Sequence, residues 1–291
     1  MDERRALAQI AASLPAAGDD AAVVDGTVVT TDMLHERTDF PDGTTRYTAG
    51  WRAVGASLSD VAAMGAAATA AVAVYAAPSF EAEALEAFLD GASEVCASVG
   101  AEYVGGDLDT HAEFTVATTA LGETTDPVYR RGAAPGEVVC VTGALGRTAA
   151  ALRCFERGET ERANALFRFD PRVEAGRALA PHATAMMDSS DGLARSLHQL
   201  AAASDCGFDV AWDAVPVDDA VTDLTADPAD RREMALHVGE DFELVCAMPE
   251  DAVPAAREAS PVPVSVVGTV TADGVEMDGD PLPDRGYSHG E

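Results

Sequence analysis

Eight acidic residues of this chain stand at the ends of apolar strands, in turns beside them, or inside an apolar helical segment. They are Asp20, Asp32, Asp60, Asp107, Asp188, Asp191, Glu240 and Asp241. In an α/β sheet the ends of the strands are where ligands collect. Carboxylate oxygens suit Mg²⁺, which commonly bridges protein carboxylates and substrate phosphates. The pattern therefore predicts several Mg²⁺ ions that hold the phosphates of a polyphosphate substrate.

A structural interpretation of the same aspartates remains open beside the functional one. An aspartate at a strand end often caps a helix or forms a turn, and for Asp188 alone the two interpretations are equally supported. Asp60 differs, because it lies in a helical segment of small and apolar residues, where a solvated carboxylate is not expected. The co-occurrence of these acids, rather than any single one, favours the metal site.

The charge balance narrows the choice of substrates and partners. Fifty acidic residues face 19 basic ones in 291 residues, a net charge of −31, and all 19 bases are arginine. This excludes a Walker-A lysine, a Schiff-base lysine and a lysine general base. Without a basic face, nucleic acid and an anionic membrane surface are disfavoured as partners, and no apolar run is long enough to span a membrane. We expect a soluble, cytoplasmic protein of the acidic type found in salty cytoplasm, where salt screens the repulsion between surface acids.

Strands and helices alternate along the chain, and this order must position the acids. Apolar and β-branched runs predict strands at 27–31, 67–76, 113–121, 138–142, 184–188, 242–248 and 262–270, and helical spacing predicts helices over 47–64, 80–98 and 191–204. A short strand at 101–104 is predicted to end before Gly105-Gly106-Asp107. The Pro- and Gly-rich stretch from 126 to 137 predicts a domain junction. The expected fold is α/β, with two α/β domains at 1–128 and 129–291.

Ten short motifs, in order from residue 18 to the C-terminus, resemble those of one family. They include GDDAAV (18–23), TTDML (30–34), SLSDVAAMGA (57–66), GGD (105–107), RRGAAPGE (130–137), MMDSSDGLARSL (186–197), GEDFEL (239–244) and GYSHG (286–290). The sequence resembles the thiamine-monophosphate kinases of the aminoimidazole-ribonucleotide-synthetase-like superfamily. The resemblance implies in-line transfer of the γ-phosphoryl group of ATP to thiamine monophosphate with several Mg²⁺ ions. It also implies a homodimer in which the N-terminal domain, which binds ATP and Mg²⁺, forms a β-barrel-like interface, while the C-terminal domain completes the site.

The resemblance also implies a role for individual residues. The implied metal ligands are Asp20, Thr30, Thr31, Asp32, Asp60, Asp107, Asp188 and Asp191; the implied ATP contacts are Gly106, Arg130 and Ser190; the implied substrate contacts are Asp39, Glu240 and Tyr287. Asp39 stands where the family usually has a histidine, and His35 is a candidate replacement for that histidine. No general base is assigned, because the acceptor phosphate oxygen is already anionic near neutral pH.

Other functions compete with this one. A purine-synthesis cyclo-ligase of the same superfamily and a non-catalytic, acidic divalent-ion-binding protein remain alternatives. A selenophosphate-synthetase-like role is disfavoured, because the chain has neither lysine nor an early cysteine. A hydrogenase-maturation role is disfavoured because the C-terminal run from Gly286 to Glu291 lacks a cysteine.

Overall fold

The computed structural model describes residues 9–10, 13–14 and 17–286, so the predicted substrate contact Tyr287 lies outside the described residues. The strands are β1 (Ala22–Val24), β2 (Thr27–His35), β3 (Ala67–Ala77), β4 (Glu102–Thr110), β5 (Thr115–Glu123), β6 (Val138–Thr142), β7 (Ala185–Asp188), β8 (Gly207–Val210), β9 (Leu244–Met248), β10 (Val264–Thr271), β11 (Val275–Met277) and β12 (Asp280–Pro281). The helices are α1 (Glu36–Asp39), α2 (Arg46–Ala63), α3 (Ala82–Ser98), α4 (Arg147–Glu156), α5 (Thr160–Phe167), α6 (Val173–Leu179), α7 (Leu193–Ser204), α8 (Asp219–Thr222), α9 (Pro228–Leu236) and α10 (Val253–Ala259). Short 3₁₀ helices cover Trp212–Ala214 and Glu250–Ala252.

The N-terminal half forms a five-stranded sheet in the order β1-β2-β5-β3-β4. Helix α2 packs on one face of this sheet and α3 packs on α2. The two helices approach closely because each has a glycine at the contact: a Cβ on Gly50 would lie 2.2 Å from the carbonyl oxygen of Phe88, and one on Gly91 would lie 2.0 Å from that of Tyr47. The sheet is open within one chain, and Met33, Val74 and Val104 are 55%, 40% and 59% exposed on it.

The C-terminal half forms a seven-stranded sheet in the order β12-β11-β8-β10-β6-β9-β7. Its central strands β6 and β9 are buried along their whole length, which agrees with their continuous apolar sequences. Strand β7 pairs with β9 and ends at Asp188, so this acid lies at the edge of the sheet.

Helix α2 lies between the two halves. It contacts β2, β3 and β5 of the first sheet and β7 of the second, and it packs against α6 as well. Residues of both halves, among them Leu58, Val61, Met186 and Leu244, belong to one hydrophobic cluster. A Cβ on Gly176 would lie 2.1 Å from the carbonyl oxygen of Ala62, so α6 touches the backbone of α2 directly. Because α2 is enclosed on these sides, its polar residues Arg52, Ser57 and Ser59 are buried, whereas Arg46 and Tyr47 at its start are partly exposed.

The predicted α/β class and the predicted strands and helices are confirmed, with shifts of a few residues at their ends. One placement is wrong: Gly105-Gly106-Asp107 does not follow a strand but lies inside β4, which runs parallel to β3 as far as Thr110. The glycines suggested a loop, yet β4 is an edge strand that is paired on one side alone. Strands β11 and β12 in the Gly- and Pro-rich tail were not predicted. Within the described residues no helix is both long and apolar enough to cross a membrane.

Candidate functional site

Three aspartates from distant parts of the chain meet beside α2. Asp20 comes from the turn before β1, Asp60 from α2, and Asp188 from the end of β7, and one carboxylate oxygen of each lies within 4.8 Å of one oxygen of the other two. We refer to these three residues as the aspartate cluster. The fold therefore brings together acids that the sequence placed in three separate motifs.

The aspartate cluster is buried and crowded with like charge. Burial raises the pKa of Asp60 well above its usual value, and the nearby carboxylates of Asp32, Asp188 and Asp20 raise it further. Burial, with a contribution from Asp20, raises the pKa of Asp188 to about 7. Arg130 partly offsets this charge, since its guanidinium donates to both oxygens of Asp20 at 2.8 and 3.2 Å. A bound cation would favour the ionised form of all these carboxylates.

The donor atoms of the cluster fit a hard divalent cation. The Oδ1 atom of Asp188 is buried and has no hydrogen-bond partner among the described residues, whereas its Oδ2 accepts from the Ser59 hydroxyl at 2.7 Å. Thr30 donates its hydroxyl to Asp60. Carboxylate and hydroxyl oxygens without sulfur or imidazole favour Mg²⁺ over softer metals. An orphaned carboxylate oxygen is costly to bury unless a ligand meets it.

Asp32 lies next to the cluster, on the same face of β2 as Thr30. Its Oδ2 accepts from the Ser57 hydroxyl at 2.7 Å, and burial raises its pKa. Ser57 in turn contacts the Thr118 hydroxyl at 2.7 Å. The two serines of the SLSD motif thus orient carboxylates at the site, Ser57 for Asp32 and Ser59 for Asp188. Neither serine was assigned a role from the sequence, although both stand in the SLSD motif with Asp60.

Three predicted metal ligands lie apart from the cluster. Thr31 is exposed on the opposite face of β2 and donates its hydroxyl to the Thr118 carbonyl at 2.8 Å. Asp107 is exposed on β4, three strands away from β2, which corresponds to about 14 Å at the usual spacing of about 4.8 Å. Asp191 accepts from Gln199 at 3.3 Å. Within the described part of the chain, the residues that come together around Asp60 are Asp20, Thr30, Asp32 and Asp188.

The predicted ATP contacts lie in two places. Gly106 lines an apolar cavity of about 370 Å³ between α3 and β4, together with Tyr75, Phe88 and Tyr103. A Cβ on Gly106 would lie 1.7 Å from the carbonyl oxygen of Ala73, so glycine is required there for the strands to approach. Arg130 contacts the aspartate cluster instead.

The loop that holds Ser190 is joined to the loop that holds Glu240. The Ser190 carbonyl accepts from the Glu240 backbone N–H at 2.6 Å. A Cβ on Gly239 would lie 2.5 Å from that same carbonyl oxygen. The motif MMDSSDGL, predicted to contact metal and ATP, and the motif GEDFEL, predicted to contact the substrate, are therefore in direct contact.

Asp39 and Glu240, predicted to contact the substrate, line a single cavity. We call it the acceptor cavity; its volume is about 200 Å³, and Arg37, Phe40, Phe167 and Val238 are also in its wall. Asp39 accepts from the His35 backbone N–H at 2.6 Å and from the Thr38 hydroxyl at 2.9 Å. The imidazole of His35 contacts Thr115 at 3.1 Å, and among the described residues that line the cavity His35 is absent. The structure thus gives His35 no place in the cavity wall.

Glu240 is held in an unusual backbone conformation with a buried arginine beside it. Its φ of +58° lies in the left-handed region, which is costly for a residue other than glycine. Arg52 of α2 donates to its Oε2 at 2.7 Å. Arg52 was not among the residues predicted from the sequence, although its signal was the same as for Asp60: a charged residue in a segment of small and apolar helical residues.

The comparisons with known proteins cover nearly the whole chain. Residues 18–124 match the family model "AIR synthase related protein, N-terminal domain", and residues 134–279 match the corresponding C-terminal domain. The chain is 63% identical over 291 residues to the thiamine-monophosphate kinase of Halobacterium salinarum, covering 99% of this chain and 100% of the relative. It is 39% identical to that of Methanospirillum hungatei, with 93% and 92% of the two chains covered. A solved structure, AaThiL complexed with AMPPCP and TMP, superposes with a TM-score of 0.89 at 26% identity over 99% of this chain and 97% of that one.

Proposed function

Since the chain belongs to the thiamine-monophosphate kinases, within the AIR synthase related proteins, we propose which of its residues carry out the phosphorylation of thiamine monophosphate by ATP. The relative of 63% identity over the full length supports the kinase activity over a purine cyclo-ligase or a non-catalytic ion-binding protein. The observation that carries the assignment of the site is the aspartate cluster, in which buried carboxylates face one another and one oxygen of Asp188 lacks a partner.

We assign the transfer centre to the aspartate cluster with Thr30 and Asp32. Mg²⁺ bound there would neutralise the charge of the two phosphate groups as they approach. The chain's own contribution is to fix the carboxylates: Ser59 orients Asp188, Ser57 orients Asp32, and Arg130 holds Asp20. Preorganised groups of this kind lower the barrier because they need not reorient during the reaction. An acceptor oxygen that is already anionic requires positioning rather than deprotonation.

We assign the acceptor to the cavity between α1 and Glu240. Thiamine monophosphate carries a cationic thiazolium ring, and the acceptor cavity offers two carboxylates, Asp39 and Glu240, beside the aromatic rings of Phe40 and Phe167. Aromatic faces and carboxylates both favour a cation. Tyr287 remains a proposed substrate contact. Ser190, whose carbonyl is bonded to the Glu240 loop, remains a proposed ATP contact next to Asp191.

We place the nucleoside of ATP in the apolar cavity beside Gly106. Its wall is formed by aromatic and aliphatic side chains, with Asp107 at one end. Such a lining suits a purine ring, and the close approach of Gly106 to β3 leaves main-chain atoms accessible. Arg130 then reaches the phosphates from the side of the aspartate cluster.

We propose that the enzyme is a homodimer that uses the open face of the first sheet. Met33, Val74 and Val104 are exposed there, and large exposed apolar patches mark interaction sites. Thr31 and Asp107, which lie apart from the cluster in a single chain, are proposed to reach a metal in the dimer, where a second copy covers this sheet.

The proposed domains remain 1–128 and 129–291, and the proposed location is the cytoplasm, where ATP is available.

The function is tested by product identification. Purified protein is incubated with ATP, Mg²⁺ and thiamine monophosphate, and the products are separated by anion-exchange chromatography. We expect thiamine diphosphate and ADP in equal amounts, and the absence of thiamine diphosphate would contradict the function.

The dimer is tested by mixing two inactive variants, Asp60→Asn and Asp107→Asn, after reversible dissociation. If Asp107 acts in the partner's site, the mixture regains activity, because each heterodimer contains one intact site. A mixture that stays inactive would contradict this and would place Asp107 in the same site as the Asp60 of its own chain.

A further inference from the structure

Arg52 is enclosed by the protein although it carries a permanent charge. Its side chain is 3% exposed. One nitrogen donates to the Phe167 carbonyl at 2.6 Å and another to Glu240 at 2.7 Å. The Phe167 ring centre lies 3.6 Å from the guanidinium carbon, and the rings of Phe169 and Phe242 lie within 5.7 Å. An arginine held by hydrogen bonds, an ion pair and aromatic faces can adopt a single position.

We propose that Arg52 is a positioning residue that fixes the Glu240 carboxylate in the wall of the acceptor cavity and thereby sets its selectivity for a cationic acceptor. This proposal rests on the function proposed above. The backbone of Glu240 is fixed independently, since its N–H donates to Ser190 and its carbonyl accepts from Thr148 at 2.7 Å. Among the described residues, Arg52 is the hydrogen-bond partner of the Glu240 side chain, which is 21% exposed and in the cavity wall.

The charges around Arg52 explain why a fixed Glu240 favours a cation. Burial lowers the pKa of Arg52, and the carboxylates of Glu240, Asp241 and Asp39 act against burial and raise it. Arg52 therefore compensates Glu240, and the other charged residues in the wall are Asp39 and Arg37, whose side chain is 79% exposed and faces Glu113 at 3.7 Å. Without Arg52, the carboxylate of Glu240 would be a partly buried, unpaired anion that either turns toward solvent or takes up a proton. Either change alters the cavity that a cationic ring would meet.

A second arginine–glutamate pair in the same loop offers a matched control. Arg172 donates to both oxygens of Glu243 at 2.7 and 2.6 Å, and Glu243 is 4% exposed. Glu243 lies three residues after Glu240, but among the described residues the acceptor cavity is lined by neither Arg172 nor Glu243. Breaking this pair should perturb the same loop without touching the cavity wall.

The experiment compares Arg52→Lys and Arg52→Met with Arg172→Lys and Arg172→Met. We measure KM for thiamine monophosphate, KM for ATP and kcat, and the calorimetric Kd of thiamine monophosphate without ATP. If the displaced Glu240 carboxylate loses its interaction with the cationic ligand, the loss of one charged contact corresponds to about tenfold or more in affinity. We expect Arg52→Met to raise the Kd and KM for thiamine monophosphate by about that factor and to leave KM for ATP within about twofold. Arg52→Lys should recover part of the loss, while the Arg172 variants lower Tm with unchanged KM values.

Two outcomes would overturn the proposal. One is an equal rise of both KM values in the Arg52 variants, and the other is the same pattern in the Arg52 and Arg172 series. If Arg52→Met does not fold, Arg52→Lys and the double variant Arg52→Met/Glu240→Gln, which removes both charges together, provide the comparison. A wild-type protein that neither binds nor phosphorylates thiamine monophosphate would refute the proposed function instead, before any variant is compared.

Discussion

The two buried groups of charged side chains along α2 differ in how their charge is balanced. Around Asp60, the described residues place Asp20, Asp32 and Asp188 close together, with Arg130 as the cation that meets them. Around Arg52, the carboxylates have donors: Glu240 accepts from the guanidinium at 2.7 Å, and Asp39 and Asp241 accept from backbone N–H groups. The first group is incomplete without an added cation or protons, whereas the second is complete among the described residues. A buried carboxylate oxygen without a donor, as in Asp188, thus distinguishes a ligand site from an internal support.

The largest expected effect comes from removing one charge of the aspartate cluster. Asp60→Asn should lower kcat by about 10²–10³, as the loss of a single electrostatic group at a reacting centre commonly does. In the absence of metal it should also raise Tm, because it relieves repulsion between buried carboxylates. Steady-state kinetics and thermal unfolding in EDTA measure the two effects. The control is Asp25→Asn, an exposed acid in a turn, which should change neither kcat nor Tm. If Asp60→Asn loses activity but its Tm in EDTA does not rise, the carboxylates of the cluster do not destabilise the fold by repulsion.

Metal removal and pH test the same imbalance without a mutation. The folded-state pKa of Asp188 is raised from 3.8 to about 7, and that of Asp60 is raised as well. Between these values the folded state holds more protons than the unfolded one, so in EDTA stability should fall as pH rises from about 4 to about 7. Mg²⁺ should raise Tm most above pH 7, where the carboxylates must be ionised. The test is to measure Tm against pH in EDTA for the wild type and for Asp188→Asn, whose Tm should change less with pH. Equal slopes of Tm against pH in the two proteins would show that surface charge, and not Asp188, causes the pH dependence.

Varying the salt concentration distinguishes the excess negative charge on the surface from that in the buried aspartate cluster. With a net charge of −31, we expect Tm and activity to fall when KCl is lowered from about 3 M to 0.1 M, since the screening length grows from about 3 Å at 1 M to about 10 Å at 0.1 M. Buried charges are screened little, so Asp60→Asn should show the same dependence of Tm on salt as the wild type. A Tm that does not depend on salt would contradict the interpretation of the acidic composition as an adaptation to a salty cytoplasm.

The smallest expected effect is at Asp39, in the balanced region. Asp39→Asn keeps an oxygen to accept from the His35 N–H but loses the charge. Asp39 is 7% exposed and its carboxylate is held by two hydrogen bonds, so we expect loss of the charge alone to raise KM for thiamine monophosphate by about fivefold or less, about 1 kcal/mol, with KM for ATP unchanged. Asp42→Asn, an exposed acid on the same loop, serves as the control. An equal change in both KM values would place Asp39 outside the acceptor cavity.

The sequence predicted the alternation of elements and the acids of the cluster because both depend on local patterns. Asp60 stood out as a carboxylate in an apolar helix, and Asp20 and Asp188 as acids beside strands. Successive residues of a strand point to opposite faces, so the sequence alone could have placed Thr31 on the face opposite Thr30 and Asp32. The resemblance placed Asp39 and Glu240 together as substrate contacts. No local spacing predicts that meeting, or the meeting of Ser190 with the Glu240 loop, because both depend on contacts between halves of the chain. Asp107 was misplaced because its glycines resemble a loop although they belong to an edge strand.

Helix α2 has a consequence for which acceptors the enzyme can use. Arg52 and Asp60 are eight residues apart on it, so the wall of the acceptor cavity and the metal cluster are separated by about 12 Å along the helix axis. The backbone of α2 is in direct contact with α3 and with α6, so packing on both sides holds the helix in place. We therefore expect the enzyme to select its acceptor by length: a phosphomonoester whose ring and phosphate are closer together or farther apart should occupy one end of this distance but not both.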